Sequence, residues 1–143
     1  MSFRRVSPEE AQALIAKEGY SYVDVRSVQE FEAGHPTGAC NVPLMDMGPM
    51  GMAPNPDFMA VMEKLFPKDS KLVVGCKAGG RSMRAAGMLE AAGFASVVDQ
   101  RAGFDGGPSP TGGVEPGWRP KGLPVSKDAP RDHTYAGIVL RLK

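Results

Sequence analysis

The sequence predicts an α/β fold: a central, mostly parallel sheet of about five strands flanked by helices. Two observations carry this expectation. Helix-period and strand-period segments alternate along the chain, the pattern of crossover connections in parallel sheets. In addition, Lys71 to Gly75 reads as a buried strand that passes through a Gly-rich turn directly into a helix.

The elements follow in order. Ser7 can cap a helix whose first position is Pro8 and whose Glu10 closes a capping box; Ala11, Leu14 and Ile15 form its apolar stripe, and Gly19 ends it. Tyr20 to Val25 is aromatic and β-branched, as strands are. Ser27 and Glu30 form a second capping box for a short helix stopped at Gly34. Ala39 to Val42 reads as a short strand ended by Pro43. Residues 45–54, with four methionines among glycines and prolines, read as irregular. Asn55 and Pro56 open a helix with Phe58, Val61, Met62 and Leu65 on one face. After Lys71 to Gly75 comes a helix from Ser82 to Ala92, closed by Gly93. Ser96 to Val98 is a further strand. Residues 101–130 are Gly/Pro-rich and expected to be mostly loop, and 131–143 a short C-terminal helix with Tyr135, Ile138, Val139 and Leu142 at helical spacing.

With 143 residues there is room for one domain, expected to span 1–143. A formal net charge of +1 gives no reason to expect nucleic acid or an anionic membrane as partner. Apolar runs such as Leu72 to Val74 are far too short to span a bilayer, and the N-terminus lacks the apolar stretch of a signal peptide, so the expected compartment is the cytoplasm. Two cysteines, Cys40 and Cys76, make no disulfide framework and no Cys-x-x-Cys motif for zinc. In a reducing compartment both are free thiols.

The chemistry concentrates at Cys76. A buried strand delivers it to the carboxyl end of the sheet, where open α/β folds bind ligands. The following Lys77, Ala78, Gly79, Gly80, Arg81 and Ser82 combine small residues, which let successive N–H groups converge, with two cations and a helix start. Amide nests and helix N-termini favour anions, here a thiolate, a persulfide or a donor's oxyanions. The bland alternative is a small buried hydrophobe. A third reading is a phosphatase-like loop, but such loops place five residues between cysteine and arginine, and here there are four. Neither Asp24 nor Asp46 is singled out by spacing as a general acid.

At these residues the chain resembles the rhodanese family, over about Val6 to Val125. Tyr22-Val23-Asp24-Val25-Arg26, Glu30-Phe31, Gly34-His35, Gly38-Ala39 and Asn41-Val42-Pro43 resemble its first signature. Cys76 to Ser82 resembles its active-site loop, of the six-residue length associated with sulfur transfer rather than the seven of phosphatases and arsenate reductases. Gly93-Phe94, Val97-Val98 and the stretch from Gly117-Trp118 to Gly122-Leu123-Pro124-Val125 resemble the closing segment. The resemblance implies a sulfurtransferase in which Cys76 takes a sulfane sulfur from thiosulfate or a persulfide and passes it to a thiol or cyanide. Backbone N–H groups of Lys77 to Ser82 would hold the persulfide and Arg81 an anionic donor; no metal or organic cofactor is implied. A non-catalytic sulfur carrier or sensor that docks a protein partner is the second reading, and a phosphatase or arsenate reductase the third.

Three departures stand out: His35-Pro36-Thr37-Gly38-Ala39 in the first signature, Gln100 to Phe104 where an acidic Gly-Gly segment is usual, and an apparent insertion between Gly106 and Gly117. Asp24, Arg26 and Glu30 read as an ion-pair set bracing the turn after the first signature strand. His35 reads as a turn-stabilising donor and Cys40 as a core residue, with a resolving thiol as the alternative. The methionines of 45–54 read equally as a docking surface or as filler over the core. Trp118 reads either as packed on the body or as lining the site.

Overall fold

The computed structural model describes residues 3–142. In chain order its elements are β1 (Arg4–Val6), α1 (Pro8–Glu18), β2 (Ser21–Asp24), α2 (Val28–Ala33), β3 (His35–Pro36), β4 (Cys40–Asn41), β5 (Met45–Gly48) and β6 (Gly51–Pro54). Then come α3 (Phe58–Leu65), β7 (Lys71–Gly75), α4 (Gly80–Ala91), β8 (Ser96–Gln100), β9 (Gly106–Pro108), β10 (Val114–Pro116), β11 (Val125–Ser126), a 3₁₀ turn (Arg131–His133) and α5 (Tyr135–Leu142). Met1, Ser2 and Lys143, which the expected spans include, lie outside the described residues.

Five strands form one sheet in the order β1-β8-β7-β2-β4, and every pairing in it is parallel. The fifth strand, not located from the sequence, is β1, whose Arg4 and Arg5 hide its character at the sheet edge. Alternate side chains divide between the two faces. Val23, Cys40, Leu72 and Val74 face Met62 of α3, Leu89 of α4 and Ile138 of α5. Tyr22, Val73 and Val98 face Leu14 of α1, Phe31 of α2 and Trp118. Both expected capping boxes are made, by Ser7 with Glu10 and by Ser27 with Glu30. Helix α4 begins at Gly80, two residues before the expected Ser82, because Gly79 adopts φ +103° and turns the chain into it.

One segment expected to be irregular is an ordered hairpin, and 101–130, expected to be mostly loop, is loop with three short strands in it. Residues 45–54 form β5–β6, with Met47 opposite Met52 and a two-residue turn at Pro49 and Met50. Met50 stands fully exposed at its tip and Met47 and Met52 are exposed along it, whereas Met45 packs at the core margin. Within 101–130, β9 and β10 pair antiparallel, and β11 pairs with β3. The apparent insertion is therefore a hairpin that leaves the body at Gly106 and returns at Pro116, its register partner. Trp118 N–H then donates to Gly103 O at 2.9 Å, and its indole is buried, donating to Pro124 O at 2.7 Å. Trp118 thus packs in the body, edge-on to Tyr22.

Candidate active site

The site is built on the central strand. β7 is flanked by β8 and β2, and its carboxyl end hands the chain to Cys76, only 2% exposed. Gly75, the last strand residue, must lack a side chain, since a Cβ there would overlap the Tyr22 hydroxyl. Beyond Cys76 the chain makes a tight turn that brings Gly79 N–H to 3.1 Å from Cys76 Sγ, a hydrogen bond suited to a sulfur anion. Ser82 Oγ, in the first turn of α4, lies 3.4 Å from the same sulfur. The helix therefore starts with its N-terminus at the thiol, where partial positive charge accumulates.

The turn is clamped from outside by the segment after β8. Phe104 N donates to Cys76 O at 2.7 Å and Asp105 N to Lys77 O at 3.0 Å. Gly103 is pressed against Lys77 and Ala78, where any Cβ would overlap the backbone. Gln100 shapes this clamp: its Oε1 accepts from Ala102 and Gly103 N–H at 2.9 and 3.0 Å, and its Nε2 donates to Gly103 O at 2.8 Å. The sequence pattern gives Gln100 no role; the local signal is its place at the end of buried β8, three residues before Gly103.

The expected support residues separate into two devices. Arg26 donates to Asp24 Oδ2 at 2.7 Å through Nη2 and to Gly34 O at 2.6 Å, and its guanidinium lies 4.3 Å from the Phe104 ring centroid. Glu30 belongs elsewhere. It accepts from Arg81 Nη1 at 2.6 Å and Nη2 at 3.0 Å, tying α2 to α4 across the loop, while also closing its own capping box. Arg81 is thus held by Glu30 on one side. Lys77, Ala78 and Gly80 are exposed on the loop, Gly79 and Ser82 buried within it. A groove beside the loop is lined by Arg26, Glu30, Gly34, Lys77, Phe104 and Arg119.

Burial alone would raise the Glu30 carboxyl, but hydrogen bonds from Arg81 and Ser27 outweigh it and hold the group near pKa 2, against an ordinary 4.5. A lowered carboxylate stabilises the fold in full above its unfolded value and loses that contribution as pH falls towards its folded one. The native protein is expected to lose stability between about pH 4.5 and pH 2 more steeply than Glu30→Gln. Urea midpoints measured across that window check this, parallel profiles being the contrary result.

The other candidates take structural places. His35 is buried, stacks on Phe31 at 3.8 Å and has Nδ1 2.9 Å from Phe31 O. Cys40 pairs with Val23, which pairs with Val74, so two strand spacings of about 4.8 Å each and two further residues separate the cysteines. That exceeds disulfide reach, so Cys40 is no resolving thiol for Cys76 in this conformation. Burial also pushes the Cys40 thiol up to about 12. Among the described residues, no group of three or more His, Cys, Asp or Glu could hold a metal ion.

A family profile described as Rhodanese-like domain matches residues 7–107, most of the chain. The chain belongs to the rhodanese-like family. A relative named Thiosulfate sulfurtransferase 16, chloroplastic, from Arabidopsis thaliana is 40% identical over 107 residues, covering 75% of this chain and 80% of its own. Senescence-associated protein DIN1 from Raphanus sativus is 41% identical over 100 residues, 70% of this chain; that match spans only 52% of the radish protein. Among solved structures, the crystal structure of Rv0390 from M. tuberculosis superposes with a TM-score of 0.72 at 26% identity, covering 89% of this chain and all of that one. The profile match ends at residue 107, inside β9, so the rest of the rhodanese-like chain's hairpin lies beyond the matched region.

Proposed function

We propose that this rhodanese-like chain is a sulfurtransferase that carries sulfane sulfur on Cys76. The observation that bears most weight is the Gly79 N–H aimed at Cys76 Sγ at 3.1 Å, inside a loop of six residues from Cys76 to Arg81. The Cys76 thiolate attacks the outer sulfur of thiosulfate; the S–S bond of thiosulfate breaks, sulfite leaves with the electron pair, and a Cys76 persulfide remains. An acceptor thiolate or cyanide then attacks the terminal sulfur, and the Cys76 thiolate leaves, ready for another cycle. The Gly79 amide and the α4 N-terminus stabilise sulfur anions at both stages. Lys77 and the N–H groups of Arg81 not engaged by Glu30 face the anionic donor. The names of the thiosulfate sulfurtransferase relatives support the same reading.

Incubation with thiosulfate followed by intact-mass measurement tests it. The native protein is expected to gain about one sulfur atom, removed by cyanide, while Cys76→Ser gains none and Cys40→Ser behaves as native. A folded native protein that gains nothing would count against sulfur transfer from thiosulfate. Stoichiometric loading without steady-state turnover would favour the sulfur carrier instead.

A further inference from the structure

We infer that Glu115, on the hairpin beyond the matched family region, is a positioning residue for the Cys76 sulfur, acting through Arg101 and Gly79. The inference deepens the proposed sulfur chemistry and rests on it for its meaning in turnover. Glu115 lies in β10 and is paired in register with Gly107 of β9. Its two carboxylate oxygens take a bidentate ion pair from Arg101, Nε to Oε1 at 2.8 Å and Nη2 to Oε2 at 3.1 Å. Such forks fix orientation as well as distance. Both side chains are largely buried, 19% and 13% exposed, so the pair is shielded from the screening that weakens surface pairs.

What Arg101 does at its backbone connects the pair to sulfur. Its carbonyl packs so closely against Gly79 that any Cβ on Gly79 would overlap it. Gly79 is the residue whose N–H meets Cys76 Sγ. A second contact runs in parallel: Gly107, opposite Glu115, packs against Ala78 O with equally little room. The hairpin therefore bears on the loop directly at Ala78, through Gly107, and through Arg101 on the next residue, Gly79. Lys121 and Glu10 approach the pair at 3.8 Å, Lys121 to Glu115 and Glu10 to Arg101, which steadies it without replacing either partner.

The donor hydrogen bond is short-ranged and directional, so a small shift of Gly79 weakens it at the sulfur anion while leaving donor binding at the groove in place. Glu115→Ala is expected to slow alkylation of Cys76 by iodoacetamide about tenfold and to lower kcat for persulfide formation similarly, with KM little changed. Glu115→Gln, which keeps an acceptor for Arg101, is expected to recover most of the rate. Arg101→Ala should lose as much as Glu115→Ala, and the double variant no more than either, since both act through one carbonyl. Thr111→Ala at the hairpin tip is the control with native rates. Native alkylation in Glu115→Ala, or losses that multiply in the double variant, would overturn the inference. If Glu115→Ala does not fold, Arg101→Ala carries the same test, and a native alkylation rate there sinks the inference. Alkylation reports on Cys76 whether or not sulfur is transferred, so failure of the proposed function shows separately, as a native protein that alkylates but takes up no sulfur.

Discussion

Gly103→Ala is expected to lower stability by about 3 to 5 kcal/mol and to slow sulfur uptake at Cys76 roughly tenfold or more. Two penalties coincide at this residue. Its φ of +70° is a left-handed conformation that any side chain resists. Its missing Cβ also leaves the space occupied by Lys77 O and Ala78 N, both backbone atoms of the loop. Backbone cannot swing aside as the end of a side chain can, so relief has to come from moving the loop. Gly113→Ala separates the two terms, because Gly113 has φ +72° with nothing within 4 Å of its Cβ position. That variant is expected to cost only about 1 to 2 kcal/mol and to leave sulfur uptake native. Urea denaturation and single-turnover persulfide formation on both variants check the pair. Equal costs would mean that conformation alone matters and that the clamp does not hold the loop.

β7 was legible with its bounds because Lys71 to Gly75 is apolar in every interior position and buried on both faces. α1 and α2 were legible because Ser7 and Ser27 announce them chemically. β5–β6 was not, since Met-Asp-Met-Gly and Gly-Met-Ala-Pro contain no β-branched or aromatic residue and the hairpin is held by backbone pairing. β9–β10 was hidden for a related reason: its strands are rich in glycine and proline, and what shapes it is the fit of Gly107 and Gly117 against neighbouring backbone.

At the site, the loop could be read because its pattern is local: cysteine, small residues, arginine and helix start follow one another. Partners brought together by the fold could not. Glu30 was grouped with Asp24 and Arg26 by proximity in sequence, yet its partner Arg81 lies 51 positions away. Gln100 and Glu115 bear on the loop through Gly103 and Arg101, contacts set by how the chain returns after β8. No spacing rule encodes such a return.

Arg26→Met is expected to destabilise the protein by about 3 to 5 kcal/mol, because it strands the Asp24 carboxylate without its counter-charge. Asp24 and Arg26 side chains are 1% and 5% exposed, so water cannot substitute for the lost partner. The arginine also serves Gly34 O and covers Phe104, so the α2–β3 junction and the groove wall loosen with it. Asn41, whose Nδ2 donates to Asp24 O and Arg26 O at 3.0 and 2.9 Å, holds the turn's backbone and leaves the charge uncompensated. Charge, rather than shape, is therefore the larger part of the cost. The double variant Asp24→Asn/Arg26→Met removes both charges, keeps methylene bulk over Phe104, and retains an oxygen that can accept from the N–H of residue 26, as Asp24 Oδ1 does at 3.0 Å. It is expected to recover most of the stability lost in Arg26→Met, read as a return of the urea midpoint. A double variant as unstable as the single one would place the cost in the Gly34 and Phe104 contacts and make the pair a spacer rather than an electrostatic brace.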